Sequence, residues 1–281
     1  MSKLALGTVQ FGLDYGITNQ SGQVTIKEVK GILDFAKENG IDVLDTASGY
    51  GNSEKVLGGV GVDNYQIITK TISLKNGVDK VIDGFYQSLD DLSQKQVEGL
   101  LIHNIQDIEN KQFSALFDKL NELKQQGLIK KIGFSTYTPE QVNFLLENFD
   151  FNIIQVPFNV FDTRLIQSGQ LQALKSKGVE IHARSVFLQG VLLDFDNLSD
   201  YFLTWKAQFT EYQAMVKNSG LSLLEYALNF VLSVQEIDRV LVGVNNEQQL
   251  REIVLSLKGL DGLEDYFIND INLLNPSLWK G

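Results

Sequence analysis

Cysteine is absent from the 281 residues, which removes disulfides, thiolate metal ligands and a thiol nucleophile at once. A cysteine-free chain also suits a reducing compartment. Only three prolines occur, Pro139, Pro157 and Pro276, and no Gly/Ser-rich stretch or charge block interrupts the sequence. Nothing marks a linker, so residues 1–281 read as one domain. The two histidines, His103 and His182, are too few for a three-ligand zinc set. No apolar run approaches the ~18 residues that cross a bilayer. The first residues, MSKLALGTVQFG, lack the apolar core of a secretory signal. The expectation is a cytoplasmic protein that does not engage a membrane. Basic residues are also short, with 24 Lys and Arg against 35 Asp and Glu and a net charge of −11. Such a surface repels a nucleic-acid backbone. A few local cations and helix N-termini can still hold one pyrophosphate.

What is present is regular. Short β-branched runs alternate with longer amphipathic ones. The expected strands are Lys3–Leu6, Asp42–Asp45, Gln66–Lys70, Gly99–His103, Lys131–Ser135, Asn152–Val156, Glu180–Ala183 and Arg239–Val242. Between them, Val29, Ile32, Leu33 and Ala36 recur at helical spacing, as do Leu116, Leu120 and Leu123 before a stop at Gly127. Thr138-Pro139-Glu140 places a capping residue before a proline at the first helical position. Leu165–Ser176, Leu221–Leu232 and Glu247–Leu257 supply later helices. Eight strand–helix units predict an α/β fold, a (β/α)8 TIM barrel in a single domain. An open doubly wound sheet is the alternative. Against it, Gly12-Leu13-Asp14-Tyr15-Gly16 after the first strand carries no G-x-G-x-x-G pattern, and no immediate helix is expected there. Phe187–Ser219 is long for a barrel loop and is expected to hold a short helix of its own.

In such a barrel the reactive groups lie at the C-terminal ends of the strands. Asp45 ends the second expected strand, Tyr50 follows it, Lys70 ends the third and His103 the fourth. Each type alone has an ordinary structural reading: a packing tyrosine, a strand-end ion pair, a satisfied histidine. His182, ending the seventh expected strand, competes with His103 on position. Together, however, the four make an acid–base device. A lysine ammonium favours a phenolate, an aspartate holds the lysine, and a neutral histidine can orient a substrate oxygen. Lys70 as a Schiff-base nucleophile remains a rival chemistry on the same barrel.

The segment Leu44–Glu54, LDTASGYGNSE, resembles the aldo-keto reductase signature. IITKT around Lys70, LLIHN around His103, KIGFSTY at Lys131–Tyr137, IQVPFNVFD at Ile154–Asp162 and RSVFLQGVL at Arg184–Leu192 are similar to that family's later motifs. The resemblance covers nearly the whole chain. It implies an NAD(P)-dependent oxidoreductase that reduces a small carbonyl compound, with a keto-sugar among the implied substrates. A cofactor-sensing binding protein on the same barrel is the alternative.

The roles implied are Tyr50 as proton donor, Asp45 and Lys70 as its tuners and His103 as substrate-orienting residue. Ser135 and Gln155 would hold the nicotinamide carboxamide, and Ser185 the pyrophosphate. Gly7, Thr8, Thr136, Arg184, Leu188, Gly190, Gly243, Asn245 and Gln249 complete the implied cofactor site. Thr136 stands where the family usually has asparagine. Arg184 stands where it usually stacks an aromatic ring on the nicotinamide, and two destinations are open for it, an anionic substrate or the pyrophosphate. NADP is the implied cofactor. NAD stays open, because Gln249 stands where an arginine would meet the 2′-phosphate and Glu247 opposes one. Expected lining residues of the mouth are Gln10, Phe11, Asp14, Tyr15, Tyr137, Phe158, Arg164 and Trp205. No metal site is expected, and oligomeric state is left open.

Overall fold

The computed structural model describes residues 2–17, 19 and 21–279. Met1, Lys280 and Gly281, which the expected domain includes, lie outside the described residues. Eight parallel strands close into a barrel in sequence order: β1 (Leu4–Gly7), β2 (Val43–Asp45), β3 (Gln66–Lys70), β4 (Val97–Ile102), β5 (Ile129–Ser135), β6 (Ile153–Pro157), β7 (Glu180–Arg184) and β8 (Arg239–Gly243). β8 pairs back onto β1 with Leu6 opposite Val242. No described helix is long and apolar enough to cross a membrane.

The helices run as α1 (Val9–Gly12), α2 (Ile26–Glu38), α3 (Ser53–Val60), α4 (Val78–Asp91), α5 (Phe113–Gln125), α6 (Pro139–Asn148), α7 (Arg164–Gln167), α8 (Gln170–Ser176), α9 (Lys206–Ser219), α10 (Leu223–Ser233), α11 (Glu247–Leu255) and α12 (Ile271–Leu274). Their apolar faces explain them. Val29, Ile32, Leu33 and Ala36 of α2, and Leu116, Leu120 and Leu123 of α5, are all buried against the barrel. α6 begins in a full capping box, Thr138 accepting from the Gln141 amide while the Gln141 side chain accepts from Thr138 N–H.

Three expectations need correction. A helical turn, α1, does follow β1 at once. The helix expected over Leu165–Ser176 is split into α7 and α8, because Gly169 takes a left-handed conformation (φ +78°) between them. The long segment after β7 carries, besides short 3-10 turns at Leu188–Gly190 and Asp200–Trp205, the 14-residue α9, longer than expected, which buries Phe209, Tyr212 and Val216 and ends at left-handed Gly220.

Strand residues alternate between two cores. Leu100, Ile102, Ile132 and Phe134 face the helices, while Ala5, Val43, Ile68, Leu101, Ile153 and Leu241 fill the barrel interior. Gly133 fits that interior because a Cβ there would lie 1.7 Å from the Ile153 carbonyl oxygen. The next inward position toward the C-terminal end is polar on β2 to β7 and glycine on β1 and β8, and that layer forms the floor of a cleft.

Candidate active site

Tyr50 reaches this floor through an unusually close backbone contact. A Cβ on Gly12 would lie 1.8 Å from the Tyr50 carbonyl oxygen, and one on Gly51 would lie 2.3 Å from the Gly12 oxygen. Gly51 is also left-handed, at φ +57°. Only two glycines let α1 and the Tyr50 loop touch in this way. Buried hydroxyls lock the same corner. Thr8 Oγ1 donates to the Asp45 carbonyl at 3.0 Å and Ser53 Oγ donates to the Thr8 carbonyl at 2.9 Å.

Lys70 is 1% exposed and all three of its protons have an acceptor. Nζ donates to Asp45 Oδ2 at 2.6 Å, to the Thr46 carbonyl at 2.9 Å and to Tyr50 Oη at 3.3 Å. Burial alone would push the ammonium down, but the Asp45 carboxylate and Tyr50 outweigh it and hold the pKa above the ordinary lysine value. Asp45 Oδ1 accepts from Gln155 Nε2 at 2.7 Å, so the carboxylate is fixed from two sides. Behind them Glu54 accepts from Thr69 Oγ1 at 2.5 Å, and burial pushes its carboxyl up.

His103 lies one residue past β4, its ring edge-on to Tyr50 with centroids 5.8 Å apart. Burial, with the Lys70 charge, lowers its pKa to about 4, so the imidazole is neutral at physiological pH. His182 is elsewhere. It is fully buried inside the barrel, and its Nε2 donates to Glu180 Oε1 at 2.7 Å.

The cleft over this floor has a volume of about 530 Å3, within the range of small-molecule sites. Of the sequence-predicted positions, Gly7, Thr8, Asp45, Tyr50, His103, Ser135, Gln155, Arg184, Ser185, Gly190, Gly243, Asn245 and Gln249 line it. Lys70 lies buried beneath. Thr136 and Leu188 are set apart from the cleft, with fully buried side chains, and Thr136 Oγ1 has no partner. Among the expected mouth residues, Gln10, Tyr15 and Tyr137 line the cleft. Phe11 and Phe158 do not; both are fully buried. Trp205 is buried with its Nε1 donating to Asp270, Arg164 is paired with Asp162, and Asp14 is exposed outside the lining. Aromatic character alone pointed to Phe11, Phe158 and Trp205, and packing claimed them.

Sequence reasoning missed Gly12, Gly51 and Gln189. Gln189 sits in a turn where Ser185, Leu188 and Gln189 all take positive φ (59°, 48° and 54°), a conformation that costs about 1–3 kcal/mol per non-glycine residue. Its Nε2 donates to Tyr15 Oη at 3.0 Å, joining the loops after β7 and β1. The only advance sign was Gln189-Gly190, a polar residue and a glycine within an otherwise apolar stretch after β7.

A dinucleotide fits the residues present. Gln10 Oε1, Arg184 Nε and Asn245 Oδ1 are buried polar atoms of the cleft wall without a hydrogen-bond partner, as expected where a polar ligand completes a site. The glycines at 7 and 243 keep its floor open between β1 and β8. The sequence pattern of the aldo/keto reductase family matches residues 3–275.

The chain belongs to the aldo/keto reductase family. It is therefore an oxidoreductase, and its family uses nicotinamide cofactors for carbonyl chemistry. Among its relatives, the L-galactose dehydrogenase of Arabidopsis thaliana is 26% identical, with 94% of this chain and 86% of that protein covered. The oxidoreductase sirO of Leptosphaeria maculans is 28% identical over 68% of this chain, which spans only 61% of sirO's length. A solved aldo-keto reductase of Bacillus halodurans in its holo form shares the fold, with TM-score 0.74 at 19% identity, covering 92% of this chain and 88% of that one.

Proposed function

We propose that this aldo/keto reductase reduces a small aldehyde or ketone to the alcohol, with Tyr50 as general acid. The observation that carries the reading is the 3.3 Å contact between Lys70 Nζ and Tyr50 Oη, made by a lysine whose other two protons are committed to Asp45 and Thr46. When bound, a nicotinamide dinucleotide would supply hydride to the carbonyl carbon. As negative charge gathers on the carbonyl oxygen, the Tyr50 O–H gives up its proton to that oxygen, and the Lys70 ammonium stabilises the phenolate left behind. Solvent then returns the proton to Tyr50. His103, neutral, donates an N–H to the same oxygen and orients it. Asp45 positions Lys70, and Gln155 positions Asp45.

Ser135 and Gln155 are the groups suited to a carboxamide. Gln155 Nε2 is committed to Asp45, which leaves its carbonyl oxygen as the acceptor. The Ser185–Gly190 turn would hold the pyrophosphate, and Gly243 to Gln249 the adenosine. At that end the residues favour NAD over the NADP that the resemblance implies. Arg251 is committed to Glu247 and stacked on Phe35, outside the lining, while the Glu252 carboxylate lines the cleft. A carboxylate suits a ribose hydroxyl and repels a 2′-phosphate. The relatives' range includes an L-galactose dehydrogenase, which supports a polyhydroxylated carbonyl substrate such as a keto-sugar. A single domain and a cytoplasmic location belong to the same reading.

Titration with NADH and NADPH, followed by a carbonyl panel with the tighter one, tests it. Quenching of protein fluorescence and multiple turnovers are expected. Turnover without cofactor, or a borohydride-trapped adduct on Lys70, would replace it with Schiff-base chemistry.

A further inference from the structure

The chain contains four arginines, and three have a carboxylate within reach: Arg164 with Asp162, Arg239 with Asp42 and Arg251 with Glu247. Among the described residues, Arg184 has no such partner, in a protein with 35 acidic residues to choose from. It is only partly exposed, and it lines the cleft. A cation half removed from water without a counter-ion is unfavourable unless something else completes it.

Its position is fixed. The guanidinium carbon sits 4.3 Å from the centroid of the Tyr137 ring, Nη2 donates to the Thr136 carbonyl at 2.9 Å and Nη1 to Ser185 Oγ at 3.3 Å. Tyr137 is held in turn, its backbone N–H donating to Gln141 Oε1 at 2.7 Å, the side chain that closes the capping box of α6. Of the five N–H groups on a guanidinium, two are used, and Nε is buried without an acceptor. The fork is therefore held flat with donors to spare, the arrangement that recognises a planar or tetrahedral oxyanion.

The anion it would meet belongs to the carbonyl compound rather than to the far reach of the cofactor. Arg184 is anchored beside β5 through Thr136 and Tyr137, and its charge is felt at His103 and Tyr15, the residues that flank the cleft near Tyr50. The Gly243–Ile253 wall begins at the end of β8, on the side of β7 opposite to β6 and β5, toward which the guanidinium reaches.

We propose that Arg184 is a specificity-determining anchor for a carboxylate or phosphate on the substrate, making the preferred substrate an anionic carbonyl compound. The proposal rests on the reductase reading above and narrows its substrate class. Lys70 cannot serve the same purpose, since all three of its protons are taken.

The test compares matched pairs: succinic semialdehyde with butanal for the carboxylate, and glycolaldehyde phosphate with glycolaldehyde for the phosphate. The wild-type enzyme should favour the anionic member of at least one pair in kcat/KM. Arg184→Gln should lower that preference about 100-fold, mostly through KM, as expected for a lost charge-assisted contact. Arg184→Lys, which keeps the charge and loses the planar fork, should recover part of it. The pair that responds distinguishes carboxylate from phosphate. An anionic-to-neutral ratio unchanged in Arg184→Gln, with cofactor affinity reduced instead, overturns the proposal and assigns the guanidinium to the pyrophosphate.

Calorimetric titration with unreactive succinate and with inorganic phosphate separates this from the reductase reading. Arg184-dependent binding of either ion without any carbonyl turnover supports the anchor and defeats the reductase. Turnover of butanal with no charge preference and no Arg184-dependent ion binding does the reverse.

Discussion

The two ends of the barrel interior use charge in opposite ways. At the N-terminal end, Lys131 bridges Glu98 and Glu180 at 2.8 and 2.6 Å, and Glu180 accepts from His182. Arg239 lies 3.4 Å from Asp42 in the same region. These charges close on one another or on a neighbour's ring. At the C-terminal end Asp45 and Lys70 close on each other. Tyr50, His103 and Arg184 are left facing a cleft. The contrast separates groups that hold the barrel together from groups left over for a ligand, as expected for the two faces of this architecture.

Breaking the open end at its centre should have the largest effect. Tyr50→Phe removes the proposed proton donor, together with the acceptor of one Lys70 proton, so kcat should fall by about 10²–10⁴-fold while the cofactor dissociation constant, read by fluorescence, changes little. Near-normal turnover in this variant would end the assignment of Tyr50. Lys70→Met should lose turnover and also destabilise the protein by about 3–5 kcal/mol in urea unfolding, because Asp45 is left charged, buried and unpaired. Adding Asp45→Asn to that variant should restore much of the stability and none of the activity.

The closed end should respond the other way. Glu180→Gln is expected to cost about 1–3 kcal/mol of stability and to leave kcat/KM within a few-fold of normal. Burial by itself would raise the Glu180 pKa, but hydrogen bonds from His182 and Lys131 outweigh it and bring the carboxyl down to about 2, from 4.5. A depressed carboxylate stabilises above its unfolded value. The contribution should therefore be whole above pH 4.5 and fade as pH falls toward about 2, and Glu180→Gln should flatten that part of the stability profile. The smallest effect belongs to His103. With its pKa lowered to about 4, the profile of kcat/KM should show no imidazole step between pH 6 and 7. A step there would mean that the imidazole is more solvated than its buried position implies.

How much of this was legible beforehand depended on the range of the interaction. All eight strands were readable, because each is a short apolar run between punctuating residues, and the observed bounds shift by two residues at most. The Asp45–Lys70–Tyr50–His103 group was readable once neighbouring strand ends were placed side by side. The commitment of Gln155 to Asp45 spans 110 positions and left no local mark. The mouth was misjudged where aromatic residues were taken as wall. Phe158 stacks on Phe230, and Trp205 packs against Phe202 while its indole N–H is taken by Asp270. A hydrophobic ring after a strand has a core to join as readily as a cleft, and composition does not tell them apart. The split at Gly169 was visible as a residue, yet helical spacing ran on past it on both sides.

The contact between Gly12 and the Tyr50 loop has a consequence for how such an enzyme can diverge. The location of the Tyr50 phenol is set chiefly by main chain touching main chain, with the Thr8 and Ser53 hydroxyls locking the same corner. Loops around the rim are free to be rewritten for new substrates, because none of them carries the positional information. Two residues with no functional group at all, Gly12 and Gly51, carry it instead. In a saturation library they should tolerate as little as Tyr50 itself.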